Sequence, residues 1–192
     1  MTDVRDLHRR SVEVFVGFVS QVGDDSWQVG TPCEGWTVHD LVNHVVGEEL
    51  WTVPLLDGAT IAEVGDRFDG DVLGADPIAA TRSAASAATG AADGADLDRV
   101  VHLSFGDVPA QFYLEQLFAD HLVHSWDLAS AIGVEYAVPP DLVDECTTWF
   151  ESHEAAYRAA GVIGDRPADL PAGGVDRMLV MFGRNPRWTA DG

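Results

Sequence analysis

Lysine is missing from this 192-residue chain: all 11 basic residues are Arg, set against 32 Asp and Glu, for a formal net charge of -21. A surface so poor in positive charge repels phosphate backbones and anionic lipid, and no local basic patch offsets the mean, so neither nucleic acid nor membrane is expected as a partner. Cysteine is scarce too. Cys33 and Cys146 are far apart, with no C-x-x-C pair, which excludes a disulfide framework or a thiolate zinc cluster and fits free thiols in a reducing cytosol. No apolar run approaches the ~18 residues of a membrane span, and the first ten residues lack the apolar stretch of a secretory signal, so a cytoplasmic protein is expected.

What is present suits one globular domain over residues 1–192. Hydrophobic residues make up 46% and charged residues 22%, enough apolar surface for a core. Val4, Leu7, Val14, Phe15, Phe18, Val19 and Val22 recur mostly at three- and four-residue steps, predicting an amphipathic helix over about 3–22. The turn-rich stretch Thr31-Pro-Cys-Glu-Gly-Trp36 leads into a second helix from Thr37, with Thr37 and Asp40 as a capping box and Trp36 able to staple onto Leu41. That helix is expected to stop at Pro54, which cannot continue the hydrogen-bond ladder.

Residues 57–76 are rich in Gly and Asp and read as a loop with at most a short turn. Pro77 opens a small-residue helix whose body is Ala79 to Ala92. Arg99 to Phe105 is one short extended segment. Helical periodicity returns from Pro109 to Ile132, with Asp107 as its expected cap, and again over about 140–160. After Gly164 a Pro- and Gly-rich tail precedes a short helical segment, Val175 to Phe182. The pattern is all-α with little strand, and no internal repeat is found.

Seven histidines occur, most of them explicable as surface or edge residues. His44 lies on or beside the apolar stripe of the second helix. Asp120 and His124, four apart, share one face of the helix from Pro109 to Ile132, about 5–6 Å apart at Cβ. Leu117, Leu128 and Ala131 share that face, so the pair points inward, and a buried carboxylate needs either a cation or a fully paired network. Spacing alone favours an ordinary Asp–His contact; His44 on a second core-facing helix shifts the balance toward a metal site, because helical bundles assemble metal sites from facing helices. A second arrangement uses His121 with His124, Asp120 orienting them. Trp126 and Asp127 are placed beside the site, lining a pocket or orienting a ligand, since ligating imidazoles commonly give their other N–H to a carboxylate; Asp127 as an ordinary surface acid is equally compatible. Glu48, one turn after His44, reads as a solvated glutamate before it reads as a ligand, and Cys33 as a packed turn residue before a nucleophile.

The runs Thr31-Pro-Cys-Glu-Gly-Trp-Thr-Val-His-Asp-Leu-Val-Asn-His44, Leu122-Val-His-Ser-Trp-Asp-Leu-Ala-Ser-Ala-Ile-Gly133 and Asp176-Arg-Met-Leu-Val-Met-Phe-Gly-Arg-Asn-Pro186 resemble, in order, the mycothiol-dependent maleylpyruvate isomerase family in a short, actinobacterial branch of the DinB/YfiT-like metalloenzyme superfamily. The resemblance implies a DinB-like four-helix bundle with a short added C-terminal helical segment and at most one or two short strands. It implies a divalent metal ion, zinc first and nickel second, on His44, Asp120 and His124; Trp126 and Asp127 are the expected cofactor-binding residues beside it. The family pattern has Glu where this chain has the shorter Asp120, and the isomerase carries a further C-terminal domain for which the tail here is short. The implied function is isomerase or S-transferase chemistry with mycothiol and an electrophilic substrate as partners. A homodimer is an option the sequence leaves open. So are a non-catalytic metal- or ligand-binding bundle and a metal-dependent hydrolase.

Overall fold

The computed structural model describes residues 2–167 and 173–190; part of the Pro- and Gly-rich tail after Gly164 lies outside them. The elements run α1 (Val4–Val19), α2 (Val38–Leu56), α3 (Ile61–Val64), α4 (Pro77–Asp93), β1 (Val100–Leu103), β2 (Gly106–Pro109), α5 (Ala110–Ala131), α6 (Pro140–Ala159) and α7 (Val175–Met181). Helices α1, α2, α4 and α5 form a four-helix bundle in which α1 packs on α5 and α4, and α2 on α4 and α5. The all-α expectation is therefore met.

Local chemistry accounts for most element starts. Asp3 accepts from the Arg5 amide at the head of α1, and Asp76 from the Ala79 amide at the head of α4. At α2 the Thr37 Oγ1 accepts from Asp40 N at 3.2 Å while Asp40 Oδ2 accepts from Thr37 N at 2.9 Å, the reciprocal pair foreseen from the sequence. Helix α1 is shorter than expected, closing at Val19 and continuing through tight turns to Val22. Helix α2 is longer than expected and ends at Leu56 with Pro54 inside its last turn. Only the Pro54 donor is lost there, and the Asp57 amide on the Val53 carbonyl and the Ala59 amide on the Pro54 carbonyl close the end.

The extended segment is half of an antiparallel hairpin, with Val100 opposite Pro109 and Leu103 opposite Gly106. Asp107, expected to cap α5, belongs to β2 and bonds His102 Nδ1 at 2.8 Å across the ladder. The first donors of α5 find backbone acceptors: Ala110 N donates to Arg99 O at 2.8 Å and Gln111 N to Leu97 O at 3.0 Å. No side-chain cap is needed.

Helix α5 is buried on nearly every side, from Ala110 and Tyr113 to Ala129 and Ala131, because α1, α2, α6 and the hairpin all pack on it. The small residues Ala84, Ala88 and Ala92 of α4 are buried, which lets α4 approach α1 and α2 closely. Helix α6 adds Leu142, Val143, Cys146 and Phe150 to a second core region shared with α5 and α7, where Phe150 stacks on Phe182 with ring centroids 3.8 Å apart. No described helix is long and apolar enough to cross a membrane.

Candidate functional site

Helices α2 and α5 face one another, and their polar side chains meet along one cavity wall. His44 Nε2 lies 3.9 Å from Asp120 Oδ2, and His124 Nε2 lies 3.3 Å from Asp120 Oδ1. One ligand atom from each of the three falls within 4.8 Å of the others. The His44 and His124 rings are 5.2 Å apart, and Trp36 covers both, 5.0 Å from His44 and 6.2 Å from His124 in near-parallel stacking. Trp36 reaches this place from the turn before α2, where Gly35 adopts φ +80° and Thr31 N donates to Trp36 O at 2.9 Å. The left-handed geometry at position 35 suits glycine.

A third of the Asp120 side chain is exposed, yet its Oδ2 is shielded from solvent and has no hydrogen-bond partner among the described residues. A lone buried carboxylate oxygen between two imidazoles is the arrangement a divalent cation satisfies, so the residues present fit such an ion.

The back of His124 is fixed. Its Nδ1 donates to Asp127 Oδ2 at 3.0 Å, leaving Nε2 turned toward Asp120. Asp127 is fully buried and held in turn by Arg184, whose Nε and Nη2 donate to the two carboxylate oxygens at 2.8 Å each. Cys33 completes this group, with Sγ 3.2 Å from Asp127 Oδ2, 3.3 Å from Arg184 Nη2 and 3.9 Å from His124 Nδ1. Cys33, His124 and Asp127 are also close enough to share an ion, but the guanidinium already supplies the cation on that side.

The electrostatics follow from burial and these partners. Burial pushes the His44 imidazole below its ordinary value, outweighing the attraction of Asp120. Burial pushes the Asp120 carboxyl up, but the charge and hydrogen bond of His124, with His44 and His121 beyond, bring it well below the carboxylate range. Burial disfavours a charged His124, yet Asp120, Asp127 and Cys33 together hold it well above 6.5. Glu48, also on the cavity wall, is pushed up to about 7 by burial and by the charge of Asp120.

The structure brings His44, Asp120 and His124 together, and it gives Asp127 the orienting place behind His124 that the sequence offered, though not Trp126. Neither Trp126 nor Asp127 lines the cavity: Trp126 is buried in the α5–α6–α7 core, and Asp127 sits behind His124. His121 is not a partner of His124 either. It is fully buried, with Nδ1 donating to Leu117 O at 2.5 Å and Nε2 at 3.2 Å from Glu49 Oε1. His8, counted with the surface histidines, is also fully buried, 5.7 Å from the His121 ring, and neither of its nitrogens has a partner among the described residues. Trp36, Cys33 and Arg184 were not read as site residues. The composition of the turn before α2 hinted at the first two; nothing local marked the third.

The family model for the mycothiol maleylpyruvate isomerase N-terminal domain matches residues 8–129, a span containing all three convergent side chains. The chain belongs to this family. Proteins similar to it include an uncharacterized protein of Mycobacterium tuberculosis strain CDC 1551 / Oshkosh and one of strain ATCC 25618 / H37Rv, each 32% identical over 142 residues, covering 72% of this chain and 72% of the relative. Among solved structures, the mycothiol-dependent maleylpyruvate isomerase and a histidine-to-alanine mutant of it superpose with a TM-score of 0.63 over 86% of this chain and 77% of theirs, at 17% and 16% identity. At that identity the likeness is one of fold. Arg184, which clamps Asp127, lies beyond the part of this chain matched by the family model.

Proposed function

We propose that this chain is a metal-dependent enzyme that uses a low-molecular-weight thiol, mycothiol, in isomerase or S-transferase chemistry on an electrophilic substrate. The observation that carries the proposal is the convergence of His44, Asp120 and His124 at the cavity wall, one ligand atom of each within 4.8 Å of the others, with Asp120 Oδ2 unpartnered among the described residues. Membership of the mycothiol maleylpyruvate isomerase family supports mycothiol as the thiol.

His44, Asp120 and His124 would hold the ion, zinc by the donor set and nickel as the alternative. When bound, the ion lowers the pKa of a thiol so that the sulfur is presented as thiolate. The chain's own residues prepare that site. Asp127 keeps the Nδ1 proton of His124 in place, so that Nε2 offers its lone pair. Arg184 neutralises Asp127, and the bidentate pair holds the carboxylate in one orientation. Trp36 packs its ring against both imidazoles and limits their rotation. Three protein donors leave positions for a thiol and for water.

Cobalt-substituted protein titrated with mycothiol tests the thiol role. The expected result is a new sulfur-to-metal charge-transfer absorbance that saturates with thiol and is absent from Asp120→Ala. An unchanged spectrum at saturating thiol, with cobalt retained, would remove the thiol from the mechanism.

A further inference from the structure

The cavity in front of the three convergent residues encloses about 680 Å³, the size of a site for a drug-sized molecule. Its walls are aromatic, with Trp51, Trp149 and Phe182 among them. Its rim carries Ile61, Phe105 and Val162, three of the five large hydrophobic side chains that the described residues leave exposed, Phe105 and Val162 at 66% each. Apolar side chains gathered at a cavity mouth mark a surface that an apolar partner covers.

The charges point the same way. Glu34, Glu48 and Asp120 line the cavity, and among the described residues Arg184 is its only basic side chain other than histidine. That guanidinium is engaged by both oxygens of Asp127 and by Cys33 Sγ, so it is not free to receive a substrate carboxylate. A divalent ion would not supply the missing charge, because Asp120 and a bound thiolate already balance it. The chain as a whole, at -21, repels an approaching anion.

We infer that this site takes an uncharged, apolar, conjugated or aromatic electrophile and rejects carboxylate-bearing ones, with the aromatic wall as the binding surface and Glu48 as the discriminating side chain. The inference rests on the thiol-transfer reading for its chemistry, though not for its binding preference. In a representative transfer, the thiol sulfur bonds to the electrophilic ring carbon, the carbon–chlorine bond breaks, chloride leaves with the bonding pair, and the thiol proton passes to buffer.

Two paired comparisons test it, both at pH 8.5, where the Glu48 carboxyl, pushed up to about 7 by burial, is ionised. For binding, dinitrobenzene and dinitrobenzoate are titrated against the intrinsic tryptophan fluorescence, which requires neither thiol nor turnover. The neutral compound is expected to quench with an affinity at least about tenfold higher, the scale of one unbalanced charge in a partly buried site. For turnover, chlorodinitrobenzene and chlorodinitrobenzoate are compared with zinc-loaded protein and mycothiol, each rate divided by its uncatalysed rate. The neutral substrate is expected to show the larger enhancement, and Glu48→Gln to narrow the gap by raising the carboxylate's rate. Equal or tighter binding of dinitrobenzoate by the wild type overturns the inference whatever the turnover. Selective binding without turnover of either chloride leaves the inference standing and removes the thiol-transfer reading.

Discussion

At the scale of single residues, His124 carries the largest burden, since it is clamped by Asp127 on one nitrogen and faces Asp120 with the other. Asp127→Asn keeps the size of the side chain but loses the charge that holds the imidazole and pairs with Arg184. Metal affinity is expected to fall by about 10–100-fold, the usual effect of losing a partner of a ligating histidine; competition with a chromophoric chelator measures it, and an unchanged affinity would mean that the Asp127–His124 bond does not tune the site. His8 poses a different problem. Burial, aided by the charge of neighbouring His121, lowers it from 6.5 to about 3, so it is neutral in the fold and protonated in the unfolded chain below pH 6.5. A depressed folded value means that stability is fully present above 6.5 and declines as pH falls toward 3, by about 1.4 kcal/mol per pH unit from this group. With His8→Leu that loss disappears: the stability advantage of the variant over wild type, from urea unfolding, is expected to grow by about 2 kcal/mol between pH 7 and pH 5. A constant difference would show that His8 finds a partner for its proton.

At the scale of elements, the segment after α7 links the added C-terminal helices to the site. Gly183 has φ +75°, and a Cβ there would stand 2.8 Å from the Gly164 carbonyl oxygen. Gly183→Ala is therefore expected to destabilise the fold by about 1–3 kcal/mol and to shift Arg184 from Asp127, which thermal unfolding and metal affinity report together; wild-type values for both would detach α7 from the site. The same elements show what a sequence reveals. The cap of α2 was legible because Thr37 and Asp40 act on amides within one turn of themselves. Strand β2, Gly-Asp-Val-Pro, was not, since its conformation is set by pairing with β1 and it carries no alternation of its own. Periodicity places Asp120 and His124 on one face of α5, but a helix buried on nearly every side gives no signal of which polar residue looks into a cavity. His121 therefore stands in the sequence as an alternative ligand, His8 as a surface residue and Trp126 as lining, Asp127 is legible as a carboxylate behind the imidazole, and Arg184 is not legible because it meets Cys33 across 151 positions.

At the scale of the whole molecule, a bundle whose fold is that of a thiol-dependent isomerase holds a cavity on whose wall His44, Asp120 and His124 converge and whose other lining is largely apolar. The C-terminal part of the chain joins the lining of that cavity through Trp149 and Tyr157 of α6 and Phe182 just after α7. Everything proposed for the chemistry depends on His44, Asp120 and His124 sharing one divalent ion. The direct measurement is metal content per chain by elemental analysis of the purified protein after zinc loading and desalting, alongside His44→Ala, Asp120→Ala and His124→Ala, with circular dichroism confirming that each variant keeps its helices. About one equivalent is expected in the wild type and a large loss in every variant. Negligible metal in the folded wild type, or wild-type content in the folded His124→Ala protein, would contradict a shared ion.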